Sequence, residues 1–250
     1  FGSFPPAHTV DADGRPLHSW RVLLLPYIDP EILPDIDLRQ LYDEFRLDDP
    51  WDSPHNLEIA KTTPSIYVCP SRAPPGEKPE DRTSYVAIVG DGALWSGGGM
   101  ATTIHDLLRN GSARNILLLE SYSAIAWTEP RDLSFDEALA QLTDPGSGED
   151  LLHADRGYLC DYDYGPHVLL ADGSVRHLGH GTDSETASSL LQINDGGPDQ
   201  DWASNDDAIG TVNIPRYGNW IRLAVFLLVA ILPLPWVWSY PTSGRNDPEP

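Results

Sequence analysis

His167–Leu178 reads HVLLADGSVRHL. Two β-rich arms flank Asp172-Gly173, and a two-residue Asp-Gly loop is a strong short-range hairpin signal. A type I′ turn at Asp172 and Gly173 sets the register. It pairs Ala171 with Ser174, Leu170 with Val175, Leu169 with Arg176 and Val168 with His177. Val168, Leu170 and Val175 then share one face, the expected core face, because a strand alternates its side chains with period two. A hairpin needs further strands to be stable. Asn115–Glu120 (NILLLE) is apolar enough for a central strand, and Ser84–Val89 (SYVAIV) and Ser65–Cys69 (SIYVC) read as two more.

Helical signals lie around these strands. Ser19 is placed to cap a short apolar element, Trp20–Ile28. Asp37 starts a helix to Phe45 with Leu38, Leu41, Tyr42 and Phe45 on one face. Asn56–Lys61, Phe135–Leu142 and Ser184–Ile193 are further short helices. Short helices with hairpin-linked strands predict an α+β fold on an antiparallel sheet.

The chain has 250 residues, with 23 Pro and 21 Gly, which favours short elements and ordered turns over a helical bundle. Lys plus Arg is 16 against 38 for Asp plus Glu, a formal charge of −22. So acidic a chain repels phosphate backbones, which excludes nucleic-acid binding as a main role. The sequence begins at Phe1 and its single Met is Met100, so a fragment or processed product is expected.

Near the C-terminus, Leu223–Trp238 (LAVFLLVAILPLPWVW) is a run of sixteen residues without a charge. Tyr217 and Trp220 precede it; Trp236, Trp238 and Tyr240 close it, in the manner of interfacial aromatic belts. Arg222 is placed to snorkel at the edge, and Pro233 and Pro235 to end the helix. A buried core helix would carry polar residues at helical spacing, and this run has none. The expected organisation is a globular domain over 1–193, an acidic flexible linker over 194–219, a transmembrane helix over 220–240 and a polar tail over 241–250. Arg216 and Arg222 before the span, against Arg245 after it, lean weakly towards a cytoplasmic N-terminal side.

Catalytic signatures are missing. The sequence has no G-x-S-x-G, H-E-x-x-H, C-x-x-C or G-x-x-x-x-G-K-[ST]. The glycines Gly90, Gly92, Gly97, Gly98 and Gly99 lack the lysine and spacing of a phosphate loop and read as a surface loop. Asp11-Ala-Asp13-Gly14 fails as a calcium loop, because Trp20 stands where a bidentate Glu is required. Asp161 and Asp163, with Asp155 nearby, are weak Ca²⁺ candidates. His177 and His180, with His167 across the hairpin, are weak Zn²⁺ candidates, His177 reading more simply as a half-buried strand residue. Asn110-Gly111-Ser112 fits a glycosylation sequon by pattern alone. Cys69 and Cys160 are either one bridge in an oxidising compartment or two buried thiols. No catalytic residue and no cofactor is assigned, and a non-enzymatic role is expected.

Taken together, SFPPAHTVDADGRPLHSWRVLLLPYI, RLDDPWDSPHN, YVCPS, TSYVAIVG, WTEPRDLSFDEAL and VLLADGSVRHL resemble a large bacterial family, domain of unknown function 1559. That family is also labelled PulG-like or solute-binding-like. Its C-terminal signature is a His, nine residues, then Asp-Gly. Here Tyr162 stands at the His position, while Asp172 and Gly173 remain. The resemblance implies a prepilin-type N-terminal segment upstream of Phe1 and a pilin- or pseudopilin-like domain outside the cytoplasm. The expected function is a membrane-anchored extracytoplasmic structural or secretion-associated subunit, with the membrane, itself or a secretion system as partner. The alternative is an extracytoplasmic module binding a solute, a glycan or Ca²⁺.

Overall fold

The computed structural model describes residues 3–70, 81–95, 103, 115–121, 123–143, 154–156, 160–163, 165–178, 182–193, 212–215, 217 and 219–224, with backbone alone for 154–156, 160–163 and 212–215. Two units divide the chain, one of Phe1–Ala154 with Asp163–Val212, the other of Asp155–Tyr162 with Asn213–Pro250.

The first unit is α+β. The strands β1 (His8–Val10) and β2 (Pro16–Ser19) form a two-stranded ribbon. Ser19 then caps α1 (Trp20–Leu24), its hydroxyl accepting from the Arg21 N–H, and a 3₁₀ turn at Leu25–Tyr27 takes over where Pro26 stands. Asp37 caps α2 (Leu38–Glu44) and Ser53 caps α3 (Pro54–Ala60). The main sheet comprises β3 (Tyr85–Val89), β4 (Ile116–Glu120), β5 (Leu133–Ser134), β8 (His167–Leu170) and β9 (Val175–His177), in the order β5-β3-β4-β8-β9. Two more helices follow sheet strands, α4 (Phe135–Thr143) after β5 and α5 (Ser184–Leu191) after β9.

Each face of this sheet carries its own core. Val86, Ile88, Leu119, Val168 and Leu170 pack with Ala138 and Leu142 of α4 and with Ala187, Leu190 and Leu191 of α5. Ala87 on the other face packs with Trp20, Val22, Leu25, Leu41, Phe45, Tyr67, Trp95 and Trp127. Trp127 is the centre of that second core. It stacks on Tyr67 at 5.9 Å, meets Phe45 edge-on at 5.8 Å, and donates its indole N–H to the Ala60 carbonyl at 2.8 Å. Such ring pairs contribute about 0.5–1.5 kcal/mol each beyond area burial.

Three expectations are corrected here. First, the sheet is mixed, because β5 runs parallel to β3 while the other pairs are antiparallel. Second, Ser65–Cys69 is no strand. Ser65–Tyr67 is a 3₁₀ turn after Pro64, which turns the Tyr67 ring into the core, where its hydroxyl donates to the Arg21 carbonyl at 2.7 Å. Third, the hairpin loop has three residues. The Leu170 N–H donates to the Ser174 carbonyl and the Gly173 N–H to the Leu170 carbonyl, both at 2.9 Å, with Gly173 at φ +84°. This is the three-residue loop with glycine in the left-handed position. The register moves by one, so Val168 faces Arg176 and His167 faces His177. Val168 and Leu170 are buried as expected, but Val175 is 61% exposed on the edge strand. Among the described residues no helix is long and apolar enough to cross a membrane, and the expected transmembrane helix lies mostly outside those residues. Of the expected span 220–240, only 220–224 are described, and they are helical.

The second unit is described by itself. Its small sheet has the order β10-β7-β6, with β6 Ala154–Arg156, β7 Cys160–Asp163 and β10 Val212–Pro215. Val212–Pro215 lies within the stretch whose composition reads as a linker.

Candidate functional site

One row of polar side chains crosses four strands of the main sheet. Tyr85 on β3 pairs with Glu120 on β4, and His167 on β8 pairs with His177 on β9. Glu120 joins the two halves. Its Oε2 accepts the His167 backbone N–H at 3.0 Å and the His167 Nδ1–H at 2.9 Å. The carboxylate side chain is fully buried, whereas that of His167 is 31% exposed. The rings of His167 and His177 lie 3.8 Å apart between centroids. Burial, first, and then the neighbouring Cys69 and Glu120 push the Tyr85 hydroxyl up to about 12. Tyr85 is therefore a neutral hydrogen-bonding group at ordinary pH.

A carboxylate that takes Nδ1–H fixes the imidazole's orientation and tautomer. That arrangement serves equally as a base–orienter pair and as a strut between adjacent strands. The strut reading fits the surroundings. The Glu120 carbonyl accepts from Gln141 of α4 at 2.7 Å, so this residue ties the sheet to a helix as well as to the next strand.

A second polar knot is deeper. Arg21 and Asp132 are paired at 2.6 Å with side chains 0% and 2% exposed. Asp132 Oδ1 also accepts from the Trp20 indole at 3.2 Å and the Ala87 N–H at 2.8 Å. Arg21 donates from Nε and Nη2 to the Tyr85 carbonyl and from Nη1 to the Ser19 hydroxyl. Burial pushes the Asp132 carboxyl up; Arg21, the Ala87 N–H and the Trp20 indole pull it back down. A third knot is at Asn56, fully buried, whose amide donates to the Arg46 and Pro50 carbonyls and accepts the Arg46 N–H.

The residues singled out from sequence are dispersed. His177 lies beside His167 rather than opposite Val168. His180, Gly97, Gly98, Gly99 and Asn110 lie outside the described residues. Asp161, Asp163 and Tyr162 lie on β7, and Asp155 on β6, with only their backbone described. Cys69 is buried, and the side chain of Cys160 is outside the description, which leaves their pairing untouched. Among the described residues, no three His, Cys, Asp or Glu side chains gather to hold a metal. Asp172 and Gly173 sit at the hairpin turn, with the Asp172 carboxylate accepting the Ser174 N–H at 2.8 Å.

In the second unit, Tyr217 and residues 219–224 are helical. Tyr217, Trp220 and Ile221 are 73%, 48% and 65% exposed. Arg222, also exposed, donates to the Asn219 side chain at 3.3 Å. Three large apolar groups are thus exposed within five positions.

Sequence reasoning missed Arg21, Glu120 and Asp132. Residues 1–120 match the family described as SBP_bac_10, protein of unknown function (DUF1559), a little under half of the chain. No curated protein matches the chain, and no solved structure does.

Proposed function

We propose a role that the label of the family matched by residues 1–120, DUF1559, proteins of unknown function, leaves open. The protein is a non-enzymatic, membrane-anchored structural subunit. Its first unit works outside the cytoplasm as a pseudopilin-like module, and its C-terminal segment holds it to the bilayer. The observation that carries this reading is the exposed Tyr217, Trp220 and Ile221 immediately before the uncharged run Leu223–Trp238. Exposed aromatic residues beside a sixteen-residue uncharged run have a natural solvent in the membrane interface. The buried polar groups support the structural half. Arg21–Asp132 and Glu120–His167 each tie together segments far apart in sequence.

Alkaline carbonate extraction of membranes from cells making the full chain tests the anchor. The chain is expected in the pellet, and release into the wash overturns the reading. Chemical crosslinking in those membranes tests the subunit role, with adducts to itself or to a secretion component expected. The alternative, a solute-, glycan- or Ca²⁺-binding module, is supported only by the acidic surface, the Gly-rich loop and the eight tryptophans. A ligand at 100 times its Kd raises stability by about 2.7 kcal/mol, so thermal shifts against Ca²⁺ and glycans decide it.

A further inference from the structure

We propose that the His167–His177 pair binds one divalent ion of the Zn²⁺ class, held through both imidazoles and backed by Glu120. The site is independent of the membrane anchor. The Leu178 N–H donates to the Pro166 carbonyl at 3.0 Å. The directly opposed His167 and His177 are therefore a non-hydrogen-bonded antiparallel pair, the kind in which side chains stand closest. Their rings are 3.8 Å apart between centroids. Glu120 fixes which atom of His167 is offered. Its fully buried carboxylate accepts the Nδ1–H, which puts the ring's lone pair on Nε2. In His177 the Nδ1 is buried, which leaves Nε2 as the atom to face an ion.

A metal-binding histidine commonly donates its second ring N–H to a carboxylate, which orients the ring and raises its basicity. Zn–N bonds of about 2.0–2.1 Å place two ligating nitrogens roughly 3–3.5 Å apart at a tetrahedral centre. That is close to the spacing of these two rings. Strand alternation sends Arg176 to the opposite face of the sheet, so its guanidinium does not compete with an ion for the pair. The His167 side chain is 31% exposed, which gives an ion a way in and water a way to complete its coordination. Water is needed, since among the described residues no third His, Cys, Asp or Glu joins the two imidazoles. Imidazole suits zinc and copper, whereas Ca²⁺ takes oxygen ligands, so the pair selects against calcium.

The test uses the full chain, without a histidine tag and in mild detergent, titrated with Cu²⁺ as a spectroscopic stand-in and read by electron paramagnetic resonance. The expected result is one copper per chain with nitrogen couplings from two imidazoles, displaced by Zn²⁺ and not by Ca²⁺. His167→Gln and His177→Gln should each abolish the two-imidazole spectrum, and His55→Gln, at an exposed position on α3, should leave it intact. Glu120→Gln keeps an acceptor oxygen for His167 but loses the charge, and should weaken Zn²⁺ binding about 10–100-fold. The wild-type spectrum decides on its own if a variant fails to fold. A spectrum with one imidazole nitrogen or none, or one unchanged by either histidine substitution, marks adventitious copper and overturns the site. Unchanged Zn²⁺ affinity in Glu120→Gln overturns the part given to the carboxylate.

Discussion

Asp132→Asn isolates the charge of the deepest ion pair. Asp132 Oδ1 accepts three donors, Trp20 Nε1, Arg21 Nη2 and the Ala87 N–H. An asparagine carbonyl can occupy the same place and keep those acceptor positions. What disappears is the negative charge facing a guanidinium that is 0% exposed. Breaking a buried pair by removing one partner costs about 3–5 kcal/mol, because the surviving charge stays buried. For a protein of this size 1 kcal/mol moves Tm by about 2–4 °C, so the loss is about 6–20 °C. Urea unfolding followed by tryptophan fluorescence reads the change, with Trp20 and Trp127 both in the affected core. The double variant Arg21→Met with Asp132→Leu removes both charges and should lie nearer to wild type than either single change. A loss under about 1 kcal/mol for Asp132→Asn would match a solvent-exposed pair. It would refute the claim that this pair is dry and central.

Three other perturbations address separate links in the account. Glu120→Ala strips the His167 N–H and Nδ1–H of their shared acceptor and should cost about 1–3 kcal/mol per lost partner in urea unfolding, whereas an unchanged midpoint removes the strut role. Gly173→Ala meets no atom within 4 Å but forces a Cβ into φ +84°, so a loss of about 1–2 kcal/mol is expected from the backbone alone, and Gly173→Asn should recover part of it; equal stability of all three sinks the three-residue loop. His18 donates from Nε2 to the Arg46 and Asp49 carbonyls, and burial holds its pKa below 6.5 in the folded chain. The unfolded chain therefore binds more protons below pH 6.5. Stability is full above that pH and falls as the pH drops through it, while His18→Gln should flatten the slope. A slope unchanged by that substitution would show that His18 is not its source.

Local signals carried much of the fold. Ser19, Asp37 and the apolar spacing of Leu38, Leu41 and Phe45 placed two helices, because a cap and a periodic face are both written in adjacent residues. The NILLLE strand was equally plain. Long-range signals were harder. The Asp-Gly pair announced a hairpin, but two- and three-residue loops share those residues, and the difference of one residue shifted His177 from Val168 to His167. That slip concealed the Tyr85–Glu120–His167–His177 row, since only the true register aligns it across four strands. SIYVC had strand composition, yet Pro64 and the burial of Tyr67 turned it into a 3₁₀ segment. Arg21 and Asp132 are 111 residues apart, so no local pattern pairs them. The clue available was an arginine set inside the apolar run Trp20–Leu25, and a glutamate ending an apolar central strand was the matching clue for Glu120.

Protease digestion of intact spheroplasts carrying the full chain with a C-terminal tag tests the central claim most directly. The account predicts that the first unit is digested from outside while a tagged C-terminal fragment stays with the membrane. Protection of the whole chain until lysis, or recovery of the chain in the soluble fraction, would contradict it.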